Sequence, residues 1–110
     1  MAKKKDLSLG AVMILHALAR GVGYGFDVME QTGLTSGTVY PALDRLERDG
    51  FARSRWEDAE VARDEKRPPR RYFEITDRGK KTLITAMERY RALAPVTIDG
   101  VAYGAGAPTS

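Results

Sequence analysis

The stretch from Leu7 to Ala19 is apolar on almost every side of a helix, with Leu7, Leu9, Ala11, Val12, Met13, Ile14, Leu15 and Leu18 falling on no single stripe. A helix without a polar face must be covered over most of its circumference. A chain of 110 residues has one core with which to cover it. The segment is therefore expected at the centre of a single domain, with a partner chain as a second source of cover. Gly21 and Gly23 end it. No apolar run reaches the ~20 residues of a membrane span. The basic start Lys3-Lys4-Lys5 is followed at once by Asp6, unlike a secretory leader. The expectation is a cytoplasmic protein that acts by binding.

Around this segment the elements follow in order. Tyr24-Gly25 opens a short second helix through Phe26, Val28 and Met29, and Gly33 closes it. Thr35 or Ser36 can cap a third helix, whose Val39, Leu43 and Leu46 recur at i, i+4 and i+7. Gly50 stops it, with Phe51 expected to fold back on Leu46. Pro41 predicts an irregular first turn or a start near Tyr40. Phe51–Trp56 and Arg71–Ile75 alternate as strands do, and the charged, Pro-containing stretch 57–70 between them reads as the long tip of a hairpin. Thr76 and Asp77 start a fourth helix whose apolar face is Leu83, Ile84, Met87, Tyr90 and Leu93 or Ala94, ended by Pro95. Residues 95–110, rich in Gly and Pro, are expected to be poorly ordered, with Val96 to Tyr103 at most a short extended piece.

The fold class expected is mainly α with a small β-hairpin, an α+β winged helix-turn-helix. Its parts are a basic arm (1–6), the winged unit (7–76), a C-terminal dimerisation helix (77–94) and a flexible tail (95–110). The third helix would enter the major groove of DNA, with the hairpin as the wing.

Composition narrows the chemistry. The absence of Cys removes disulfides, thiol catalysis and Cys-rich zinc sites, and a single His excludes a multi-His metal site within one chain. No nucleophile is paired with a base and no phosphate loop is present, so neither catalysis nor a cofactor or metal is expected. The net charge of +3 is unevenly spread. Between Lys66 and Lys81 seven basic residues face two acidic ones, and the remainder of the chain is net acidic. Lys66, Arg67, Arg70 and Arg71 surround Pro68-Pro69, an extended basic finger suited to a phosphate backbone; the bland reading is a solubilising loop. The preceding acids Glu57, Asp58, Glu60, Asp64 and Glu65 could neutralise that finger.

At the start of the third helix, Thr35, Ser36, Gly37, Thr38, Tyr40 and Pro41 combine free backbone amides with small hydroxyls, and Arg45 and Arg48 add charge. This is equally the composition of an ordinary capped helix. The apolar faces of the first and fourth helices suggest a homodimer through Leu9, Val12, Met13, Leu83, Ile84, Met87 and Tyr90, the alternative being packing within one chain. Trp56 is expected to pack against neighbouring helices, the alternative being to stack on a flat ligand, and His16 to be a hydrogen-bonded structural imidazole, the alternative being a switch or ligand. Met13, Met29 and Met87 fill core or interface.

The segments Tyr24-Gly25, Thr32 to Phe51 (with Gly37-Thr38-Val39-Tyr40-Pro41-Ala42-Leu43-Asp44-Arg45-Leu46-Glu47 at its centre) and Arg71 to Gly79 resemble those of the PadR family of bacterial transcriptional regulators. The likeness spans roughly residues 7–94, and its central segment is the specific part. It implies a homodimeric, sequence-specific DNA-binding repressor acting on a pseudo-palindromic operator. The helix matching Thr38 to Asp49 would read the major groove and the first and last helices would form the dimer. The single C-terminal helix looks like the small subgroup of that family, for which a small aromatic effector between subunits is a further implied partner. The second helix is shorter than in relatives, and the last helix carries Tyr90 and no Trp, so an aromatic sandwich is not carried over. A different class of function, a ligand- or protein-interaction module on the same scaffold without DNA binding, is motivated by the acidic stretch and the modest net charge.

Overall fold

Ser8 accepts a hydrogen bond from the Ala11 amide (3.2 Å) and starts α1, Leu9–Ala19. The computed structural model describes residues 7–90 and 94–104. After α1 come α2 (Gly25–Thr32), α3 (Ser36–Arg48), β1 (Ala52–Trp56), α4 (Ala59–Asp64), β2 (Arg71–Ile75), α5 (Asp77–Arg89), β3 (Val96–Ile98) and β4 (Val101–Tyr103). The basic arm at 1–6, Leu93 and residues 105–110 lie outside the described residues.

The all-apolar helix does sit at the centre. α1 packs against α2, α3, α5, β2 and β3, and Val12, Ile14, Leu15, Ala17 and Leu18 are buried. The cover comes from the chain itself. This corrects the expectation for Val12, Leu83 and Met87, which were assigned to a partner-facing surface: all three are buried in the core of the single chain. Leu9 remains exposed, while Met13, Ile84 and Tyr90 are half-buried. His16 is buried, its Nε2 2.7 Å from the Ala94 carbonyl oxygen.

α3 ends as its sequence predicts. Gly50 takes φ +84°, which glycine adopts without strain, and the Phe51 amide donates back to the Leu46 carbonyl (2.9 Å). Its start differs from expectation, because the helix runs unbroken from Ser36 through Pro41. Pro41 lies so early that it removes one ladder bond, the one to the Gly37 carbonyl. Val39, Ala42, Leu43 and Leu46, buried on both sides of it, hold the helix in place.

β1 and β2 pair antiparallel, with Ala52 opposite Ile75, Ser54 opposite Phe73 and Trp56 opposite Arg71. The connection between them is not all loop. Asp58 accepts from the Glu60 amide (2.8 Å) and caps the short helix α4, whose Ala62 is buried. α4 ends with Lys66 in the left-handed region at φ 57°, the place where glycine is the usual residue. Thr76 caps α5 through the Gly79 amide (3.1 Å), and Tyr90 leaves helical geometry (φ −107°, ψ 74°), so α5 stops short of Pro95.

Residues 96–103 are also more regular than expected. β3 and β4 form a second hairpin, Val96 opposite Tyr103 and Ile98 opposite Val101. Its turn is Asp99-Gly100, both residues at positive φ (51° and 83°), the geometry of a tight two-residue hairpin loop. Val96 and Ile98 are buried, β3 lies against α1, and Lys80 Nζ of α5 holds Asp99 at 3.0 Å. Asp99 in turn keeps the Lys80 ammonium above its ordinary range.

Candidate nucleic-acid interface

α3 divides cleanly. Its stripe Val39, Leu43 and Leu46 is buried, whereas Thr35, Ser36, Gly37, Thr38, Tyr40, Pro41 and Arg45 are exposed. Tyr40 keeps 46% of its surface open. The expected side-chain cap is not made. Thr35 accepts from the Thr38 and Val39 amides through its carbonyl (3.0 and 2.9 Å), and its hydroxyl turns instead to the Thr38 hydroxyl (3.4 Å). The helix therefore begins without a side-chain oxygen over its first amides, an arrangement that favours an external anion.

Tyr40 is positioned by the start of α2. A Cβ on Gly25 would stand 2.5 Å from Tyr40 Cε1 and 3.1 Å from its hydroxyl oxygen, so only glycine lets the ring lie there. The residues just before α2 join the wing. The Phe73 amide donates to the Gly23 carbonyl (2.9 Å), Tyr24 bridges to Tyr72, and the Tyr24 and Tyr72 rings meet tilted at 5.9 Å between centroids. The Arg70 guanidinium lies over the Tyr24 ring at 4.4 Å. Its Nε is buried and has no hydrogen-bond partner among the described residues. Tyr24, Tyr40, Pro68, Pro69 and Arg70 enclose a cleft of about 370 Å³ between α3 and the wing.

The basic finger is less free than its sequence suggests. Arg67 forms a two-pronged pair with Glu57, its Nη2 2.9 Å from Oε2, and also pairs with Glu65. The Arg67 side chain is only 20% exposed. Arg67 is the main cause that pulls the Glu57 carboxyl down to about 2, helped by the Arg70 amide. Arg71 pairs with Glu47 and Asp44 of α3 and donates from Nε to the Ser54 hydroxyl (3.1 Å). Glu47 is held below the usual carboxylate range, first by the Ser54 hydroxyl and then by the Ser54 amide and Arg71. Of the four cations of the finger, Arg67 is neutralised by Glu57 and Glu65, two of the acids named above for that role, and Arg71 by carboxylates of α3, while Lys66 is exposed and Arg70 lies over Tyr24.

The sequence reading missed Tyr24, Glu47 and Ser54 as parts of this site, because their contacts join distant positions. It also misplaced Trp56, which is open to solvent rather than packed on a helix. Among the described residues no group of His, Asp or Glu is arranged to hold a metal ion, and no helix is long and apolar enough to cross a membrane.

Comparison with known proteins gives one consistent picture. The Transcriptional regulator PadR-like family matches residues 14–85. No protein with a curated description matches. Among solved structures, the chain is similar to a PadR family transcription regulator from hypervirulent Clostridium difficile R20291, at 22% identity and TM-score 0.64, covering 77% of this chain and 90% of that one. It is similar as well to a PadR-like transcription factor from Bacteroides fragilis, at 23% identity and TM-score 0.58, covering 76% and 81%. A PadR family transcriptional regulator from Eggerthella lenta DSM 2243 follows at 24% identity and TM-score 0.57, covering 74% and 71%.

Proposed function

Because this chain belongs to the PadR-like family of transcriptional regulators, we propose that it is a sequence-specific duplex-DNA-binding regulator, acting as a homodimeric repressor. The observation that carries this reading is the open N-terminal half of α3. Thr35, Ser36, Gly37, Thr38, Tyr40, Pro41 and Arg45 all face solvent, beside a wing that supplies Arg70 and Lys66. Small hydroxyls and helix-start amides fix register on phosphates, and side chains further along α3 read base edges in the major groove. Arg71 serves this site indirectly by setting the wing against α3, and Arg67 by holding the wing tip together. Leu9, Met13, Ile84 and Tyr90, which keep part of their surface open, are the residues offered to a second copy. Two copies of α3 about 34–36 Å apart would select a two-fold repeated site.

The test is selection of bound sequences from random duplexes, scored for a two-fold repeat, with the mass of the same sample measured by light scattering. With about 6 phosphates neutralised, log affinity falls against log salt with a slope near −5. A dimer that is not retained on duplex DNA at low salt favours the other reading, an interaction module on the same scaffold. The internal pairing of Arg67 and Arg71 is the feature that would fit it.

A further inference from the structure

Trp56 is the only tryptophan of the chain and, at 67% exposed, the most open large apolar side chain among the described residues. Its direction makes that exposure unusual. Cross-strand partners share a face, so Ala52, Ser54 and Trp56 lie on the same side of the hairpin as Ile75, Phe73 and Arg71. Ala52 and Phe73 on this side are buried; it is the core-facing side. α3 covers it as far as Ser54, whose amide meets Glu47 at 2.9 Å, and Arg71 extends the contact to Asp44 (3.4 Å). One step nearer the tip the cover has ended, and the indole stands uncovered beside the junction of wing and α3.

The elements on either side of the indole carry basic residues beside acids: Arg71, opposite Trp56, is paired with Asp44 and Glu47 of α3. Arg45 and Arg48 are exposed on α3. On the other face of β1, Arg53 and Arg55 share the single carboxylate Glu74. The nearest acid in sequence, Glu57, is already paired with Arg67. We propose that Trp56 is a DNA-contacting residue, its flat face packed on the sugar–phosphate backbone of a duplex held between α3 and the wing. The indole offers an apolar surface for deoxyribose and one N–H donor for a phosphate oxygen. This proposal rests on the reading that the protein binds DNA.

A single tryptophan makes the test direct. The full chain is titrated with the selected duplex while anisotropy of a label on the DNA and Trp56 emission are read together. The expected result is a change in Trp56 emission that saturates with the anisotropy. Trp56→Ala should bind about tenfold more weakly, the loss typical of truncating an aromatic anchor, with Trp56→Phe between it and the parent. The salt slope should stay the same in both, since an apolar contact releases no counterions. Anisotropy that saturates while emission stays fixed, or a Trp56→Ala variant that binds like the parent, overturns the proposal and leaves DNA binding standing. Emission already shifted in the free protein and moving with its concentration also overturns it, placing Trp56 against a second copy. Anisotropy that never rises removes the DNA-binding reading, and the proposal with it.

Discussion

Glu47 on α3 and Arg71 on β2 form an ion pair that ties the wing to the helix beside it. The Ser54 hydroxyl joins both, donating to Glu47 and accepting from Arg71. The pair is about one-third exposed, at 32% and 35%, so water screens part of its attraction. Its main effect is geometric: it fixes the angle at which the wing leaves the body of the protein.

Arg71→Ala is expected to lower stability by roughly 1 kcal/mol, the size of a charge-assisted hydrogen-bond set on a partly open surface. Calorimetry should read this as a fall of a few degrees in Tm. The salt slope of DNA binding should change little, because Arg71 is already neutralised within the chain.

Arg70→Ala should do the reverse. Tm is expected to stay near that of the parent, while the slope of log affinity against log salt flattens by about 1. Arg70→Lys keeps the charge but loses the flat stacking on Tyr24, so it should keep the slope and bind more weakly. Anisotropy titrations at several salt concentrations separate these outcomes. An equal flattening in Arg67→Ala would break the assignment.

Gly25→Ala places a methyl group against the Tyr40 ring. The ring must swing away, at a cost of about 1–2 kcal/mol in stability. DNA affinity should fall with it, because Tyr40 is the residue displaced. In a Tyr40→Ala background the same substitution should cost almost nothing, and a double-mutant cycle measures the coupling.

Glu57 gives the wing a pH dependence whose sign is fixed. Its carboxyl falls from the ordinary 4.5 to about 2 in the folded chain, so the folded state holds on to the charge while the unfolded state takes up a proton. Its contribution is complete above about pH 5 and is lost as the pH falls toward 2. Thermal midpoints of the parent and Glu57→Gln should therefore converge over that range and stay apart at neutral pH.

What could be read from the chain was what neighbouring residues decide. The stripe Val39, Leu43 and Leu46, the Gly50-Phe51 stop and the Thr76 cap are local signals, and each appears in the structure. The second hairpin was legible too, in Asp99-Gly100 between two short alternating runs, but the surrounding Gly and Pro residues outweighed it. α4 is 6 residues long, too short for a periodic pattern. That Glu57 and Glu65 neutralise the finger was legible in their nearness along the chain, but the Arg71–Glu47 pair could not be foreseen, since it spans 24 positions. Composition gives no rule for which acid each cation meets. The exposed indole of Trp56 escaped for a related reason: alternation identifies its face, but not how far α3 reaches beneath it.

The carboxylates around Arg67 and Arg71 have a kinetic consequence. Seen from several nanometres away, much of the wing's charge is already cancelled, so an incoming duplex feels little pull from it. Encounter should proceed at the unsteered rate of about 10⁵–10⁶ M⁻¹ s⁻¹. Added salt would then act mainly by shortening the lifetime of the bound state, and hardly at all by making meetings rarer.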